Sequence, residues 1–154
     1  MAIDRVRWRH LTFNAFTTLE LYSLLRFRQK VFVVEQNCPY VDADGQDLDA
    51  HHILGLRDLI IVCCSRLVPP RPNTDFWSMG RVAVDRASRK KGVGEALVKE
   101  SLRYIDQDDL RGEVRISAQA YLKEFYEKFG FIVSGDGYDE DGIFHLPMLR
   151  KVSL

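Results

Sequence analysis

The residues whose types and spacing best suit chemistry are Arg86, Arg89, Lys90, Lys91, Gly92 and Gly94. They follow an apolar run at 78–84 that reads as a buried strand, and they lead into a helical run at 93–104. Four cations just before or at a helix N-terminus are an electrostatic anomaly. The unpaired N–H groups there carry partial positive charge, and each exposed cation costs a few tenths to about 1 kcal/mol. Asp, Glu, Ser or Thr are the usual occupants. An anion in the turn removes the conflict. Gly92 and Gly94 let a ligand approach the backbone, so N–H groups, dipole and cations converge on a phosphate or pyrophosphate. An ordinary basic turn and a short nucleic-acid patch are the plainer readings of the same residues. The Walker order of glycine, lysine and serine or threonine is absent, and the dinucleotide fingerprint fails at Leu97.

What remains, Arg89-x-x-Gly92-x-Gly94 between a strand and a helix, resembles the Arg/Gln-x-x-Gly-x-Gly/Ala signature of the GNAT superfamily of acetyl-CoA-dependent N-acetyltransferases. Phe125-Tyr126-Glu127-Lys128-Phe129-Gly130-Phe131 resembles the family's helix motif ending in Tyr-x-x-x-Gly-Phe. Val33-Val34-Glu35-Gln36-Asn37-Cys38-Pro39-Tyr40 followed by Asp42-x-Asp44-Gly45, then Ala118-Gln119-Ala120, then Asp141-Gly142-Ile143-Phe144-His145, resemble its ElaA-like branch. The resemblance covers residues 19–150. It implies a GNAT fold across a single domain, 1–154: a mixed α/β (α+β) fold whose twisted central sheet is flanked by helices. A V-shaped splay between the fourth and fifth strands, here 78–84 and 114–118, would hold acyl-CoA. The implied cofactor contacts are Val82, Ala83, Val84, Arg89, Lys90, Lys91, Gly92, Val93, Gly94, Gln119 and Tyr126.

The implied reaction moves acetyl from acetyl-CoA to an amine by direct attack, with no metal. The amine must lose a proton first, since an alkylammonium titrates near the lysine value of about 10.4. The base stays open among Glu35 and His145, with His51 and His52 behind them and a water chain to solvent as a further route. A backbone N–H at 82–84 is the implied oxyanion donor. Tyr126 matches the implied proton donor to the leaving thiolate, and also fits the apolar stripe of its helix. From ordinary thiol and phenol pKa values, full transfer is uphill by roughly 2 kcal/mol. Cys38 has no visible partner to activate it as a nucleophile. A non-catalytic acyl-CoA-binding module is the alternative to an enzyme. The acceptor is a small amine, a peptide N-terminus or a lysine, and neither it nor the oligomeric state is legible.

The elements that must position these groups are read from periodicity and turn chemistry. Residues 6–11 suggest a first strand. Thr17 and Glu20 form a capping box for a helix whose apolar face carries Leu21, Leu24, Leu25 and Phe32. Arg28 on that side is read as a long side chain running past the core to water. The acidic stretch 41–49 does not fit a calcium loop, since Tyr40 and His51 would fall on ligand positions. A solvated loop is expected, or else a lip attracting a cationic amine. Residues 51–56 and 59–67 read as a hairpin turning at Arg57-Asp58, without the usual glycine. Residues 106–112 break the helix. Residues 121–129 are helical and capped by Gly130, and 131–133 and 143–149 form closing strands joined through Asp141-Gly142.

The 154 residues carry 22 basic and 22 acidic side chains, a formal balance of zero. That counts against a general nucleic-acid or anionic-membrane binder. Cys38, Cys63 and Cys64 form no CxxC pair, so free buried thiols in a reducing cytoplasm are expected. No signal-peptide stretch opens the chain, and no apolar run approaches membrane-spanning length.

Overall fold

A computed structural model describes residues 5–107 and 113–151. The chain's opening residues, read for a leader, and most of the polar break at 106–112 fall outside that range. Eight strands form one sheet: β1 (Arg7–Thr12), β2 (His51–Arg57), β3 (Ile60–Val68), β4 (Phe76–Val84), β5 (Glu113–Gln119), β6 (Ile132–Val133), β7 (Tyr138–Glu140) and β8 (Ile143–Lys151). Their order is β1-β2-β3-β4-β5-β8-β6, with β7 also on β8. Among the described residues only the β4–β5 pair is parallel; the others are antiparallel. This is the mixed α/β architecture expected, a central mixed sheet flanked by helices.

Helix α1 (Thr18–Arg28) covers one face, and α2 (Val93–Asp106) with α3 (Lys123–Glu127) the other. Both halves of the Thr17–Glu20 capping box are present. On α2, Val93, Leu97, Val98, Leu102 and Ile105 recur at helical spacing and are buried. They meet Ile53, Cys63, Trp77, Met79, Val114 and Met148 from the sheet. The other face packs Leu24 and Val31 on Leu54, Cys64 and Ala83. Cys63 and Cys64 thus serve opposite cores, as alternation along a strand requires, and all three cysteines are free and buried.

Several boundaries differ from the sequence reading. The helix expected at 121–129 is a 3-10 turn at Ala120–Leu122 followed by α3, which ends at Glu127. The Asp141-Gly142 turn does not join the two closing strands directly. It joins β8 to β7, a polar three-residue strand the sequence did not signal. The β2–β3 turn places Asp58 and Leu59 at φ 51° and 66° without glycine.

Candidate active site

β4 and β5 pair only through Phe76–Glu113, Trp77–Val114 and Ser78–Arg115. Beyond that point β4 stays with β3 and β5 with β8, so a wedge opens between them. Alternate residues along each facing edge direct N–H and C=O groups into it. β4 also carries an extra residue. Arg66 opposes Gly80 while Cys64 opposes Ala83, and Arg81 takes φ 47°. This bulge reverses the strand's parity. Trp77 and Met79 before it, and Val82 and Val84 after it, all face the α2 core, while Ala83 faces α1.

After β4 the chain makes a 3-10 turn, Arg86–Ser88, and enters α2 through Lys90 at φ 60° and Gly92 at φ 81°. Gly92 is the N-cap and has no side chain to accept from the first helical turn. Gly94 leaves its surroundings open, because a Cβ there would meet only Val84 and Phe125 at ordinary contact distances of 3.7 and 3.8 Å.

Two of the four cations already have an internal anion. Arg89 pairs with both oxygens of Glu35, Nη2 to Oε2 at 3.0 Å, and Arg86 Nη2 lies 3.7 Å from Glu35 Oε1. Arg89 Nε donates to the Val84 carbonyl at 2.9 Å. The Lys91 ammonium folds back onto the Ala87 carbonyl at 2.9 Å, and Lys90 is exposed. Part of the electrostatic anomaly is therefore answered within the chain. The Arg89 hydrogen bonds hold the Glu35 carboxyl below its ordinary pKa.

Tyr126 lies on α3 among Phe125, Phe131 and the α2-side core, 6 % exposed. Burial, with a smaller contribution from Tyr121, pushes its phenol up to about 12. Gln119 ends β5 directly opposite His145 on β8. Ala118 and Ile116 face the α2 core, so by alternation Gln119 and His145 face the other side. His145 Nδ1 sits 2.7 Å from the Ile143 carbonyl and its ring stacks on Tyr138. A carbonyl only accepts, so Nδ1 donates there, and Nε2 lies 3.6 Å from Glu140 Oε2. His51 and His52 stand on β2, separated from the wedge by β3. His51 Nδ1 meets the Tyr104 hydroxyl at 2.8 Å. His52 Nε2 meets the Asp47 carbonyl at 3.1 Å, and burial lowers its pKa.

The acidic segment 41–49 is mostly exposed, as a solvated loop should be, but Asp42 and Asp47 are buried, and they and Asp44 are already paired with arginines. Arg28 is not running to water: it is 1 % exposed and binds Asp42 at 2.8 Å and Asp47 at 2.6 Å. Arg66 binds Asp44 at 2.8 Å and Asp47 at 3.1 Å, and Arg81 lies 2.8 Å from Asp42. Three arginines, from α1, β3 and β4, thereby fasten this segment to the scaffold. Sequence periodicity could not reveal them, because each partner is 14 to 39 positions away. Cys38 lies where burial, then the Asp141 and Glu140 carboxylates, raise its thiol pKa, which disfavours the thiolate. Among the described residues no cluster of three or more His, Cys, Asp or Glu could hold a metal, and no helix is long and apolar enough to cross a membrane.

Residues 57–152 match the family described as acetyltransferase (GNAT) domain. Protein ElaA of Escherichia coli (strain K12) is 40 % identical over 149 residues, 96 % of this chain and 97 % of that one. The crystal structure of Escherichia coli ElaA superposes with a TM-score of 0.90, covering 95 % of this chain and 99 % of its own. An acyl-CoA N-acyltransferase from Pseudomonas aeruginosa gives a TM-score of 0.89 at 38 % identity, covering 94 % of this chain and 99 % of its own.

Proposed function

We propose that this chain, which belongs to the acetyltransferase (GNAT) domain family and its ElaA-like branch, transfers an acetyl group from acetyl-CoA to a primary amine. The supporting observation is the open wedge between β4 and β5 beside the uncapped N-terminus of α2. In this reading the pyrophosphate takes the amides of the 90–94 turn, with Lys90 and Lys91 adding charge. The pantetheine arm lies along the edge of β4 at 82–84 and reaches the side of Gln119. A backbone N–H of that edge meets the oxyanion.

The two proton tasks fall on opposite faces of the wedge. Tyr126, on the α2 side, donates to the departing sulfur. With the phenol near 12 and a thiol near 8.5, complete transfer is uphill by roughly 5 kcal/mol. That exceeds the gap between the free groups, so Tyr126 acts chiefly as a hydrogen-bond donor. His145, facing the other side opposite Gln119 with Nδ1 committed to the Ile143 carbonyl, offers Nε2 as the better-placed base for the attacking amine. No metal takes part in this scheme, and the domain acts in a reducing cytoplasm.

Thiol release from acetyl-CoA across a panel of small amines and peptides tests the proposal. Turnover with one acceptor class supports it. Tight coenzyme A binding without turnover on any amine would leave the acyl-CoA-binding module in its place.

A further inference from the structure

The Glu35–Arg89 pair joins two parts of the site that the sequence keeps apart. Arg89 belongs to the phosphate turn and is braced on the end of β4 through Val84. Glu35 ends the π-helical segment Gln29–Glu35 that prolongs α1. Past Glu35 the chain turns through Asn37, left-handed at φ 50°, into the segment that Arg28, Arg66 and Arg81 pin down. Cys38 in that segment neighbours Glu140 and Asp141 of the β7–β8 turn. The stretch 33–50 is therefore a wall reaching from the phosphate turn to the β8 arm. It is anchored at one end by the buried arginines and at the other by Glu35.

A two-point guanidinium–carboxylate pair fixes both planes. Glu35 has no oxygen without an arginine neighbour, and its charge is already met. Such a carboxylate is poorly suited to take a proton from an ammonium. It is well suited to transmit the position of Arg89.

We infer that Glu35 is a positioning residue and not the base: through Arg89 it couples occupancy of the phosphate turn to the order of the acceptor-side wall, residues 33–50. Coenzyme A fixes the turn backbone, the turn fixes Arg89, and Arg89 holds Glu35 and the wall behind it. By reciprocity, loosening the wall weakens coenzyme A. The coupling rests on the acyl-CoA reading; the strut itself does not.

Amide hydrogen exchange and calorimetry with free coenzyme A test this on the wild type, Glu35→Gln, Arg89→Gln and the double variant. In the wild type, coenzyme A should slow exchange across 33–50. In each single variant that wall should exchange faster without ligand, and the ligand-induced slowing should vanish. Coenzyme A affinity should drop about tenfold in each, and the double variant should be no weaker than the weaker single one. Glu35→Asp should recover part of the protection. Unaltered exchange and affinity in Glu35→Gln, with turnover down more than about a hundredfold, would make Glu35 the base and overturn the inference. Fully additive losses would overturn it too. A wild type that ignores coenzyme A, while both single variants loosen 33–50, would sink the acyltransferase reading and leave the strut standing.

Discussion

Ser78 and Arg115 form the last pair of the parallel ladder, and one step further each strand belongs to its outer neighbour. Met79 is paired with Leu67 of β3, and Ile116 with Met148 of β8. Neither wall of the wedge is a loose edge, because each keeps its antiparallel ladder on the far side. A cofactor arm can therefore supply the missing strand contacts without either wall having to move.

Tyr126 should matter for the chemical step more than for binding. Tyr126→Phe removes one oxygen from a buried ring and keeps its edge-to-face contacts with Phe125 and Phe131. Turnover should fall by about ten- to a hundredfold with coenzyme A affinity held within about twofold. Because the phenol is pushed up to about 12, the wild-type kcat profile should show no fall from Tyr126 ionisation between about pH 8 and about pH 10. Steady-state kinetics against pH check both points.

The two glycines of the turn should respond differently. Gly92 sits at φ 81°, where any side chain is strained. Gly92→Ala should reshape the turn and weaken coenzyme A about tenfold or more. Gly94→Ala adds a methyl in ordinary contact with Val84 and Phe125. It should raise stability by up to about 1 kcal/mol while retaining most of the affinity. Calorimetry and thermal melting on the pair separate backbone strain from space.

Arg28 should be among the costliest side chains to remove. Arg28→Met leaves buried Asp42 with Arg81 and buried Asp47 with Arg66 as their remaining cationic partners, and should cost about 3 kcal/mol, read as a lower denaturant midpoint at unchanged slope. Asp44 and Asp47 of the same segment make the fold acid-sensitive. Burial alone would raise Asp44 and Asp47, but their arginine partners outweigh it and hold both below their ordinary values. Groups depressed on folding contribute stability above the unfolded carboxylate range, about pH 4, and lose it as pH falls through their folded values. Unfolding midpoints should thus decline below about pH 4, and Asp47→Asn should flatten that decline.

The β2–β3 turn should be improvable. Leu59 is 87 % exposed at φ 66°, and Asp58 precedes it at φ 51°. Two successive left-handed residues are what a type I′ turn demands, and Asn-Gly fills it best. Asp58→Asn with Leu59→Gly should raise the melting temperature by about 2–4 °C, measured calorimetrically.

The strand–turn–helix around Gly92 is legible because its signals are local: an apolar run, two glycines and a helical stripe. The capping box at Thr17 and the opposed cysteines are legible for the same reason. Arg28 misleads because a long cation on an apolar face normally reaches water, and its acidic partners arrive from another element. β7 escapes notice because Tyr138-Asp139-Glu140 has no apolar alternation and exists only against β8. The helix at 121–129 is overdrawn because its stripe is real but its first turn tightens into 3-10 geometry. The proximity of Glu35 to Arg89, 54 positions apart, has no local signature.

The bulge at Arg81 makes the length of β4 an encoded quantity. Deleting one residue near Gly80 would straighten the strand and regularise its ladder with β3. Val82 and Val84 would stay on the α2 side, because a regular strand returns to the Met79 face two residues later, but the bend at Arg81 would be lost. The miswired strand is the opposite one: the same length of chain drawn into a regular ladder would send Val82 and Val84 to the α1 side, so the extra residue and the bulge that absorbs it have to be kept or lost together.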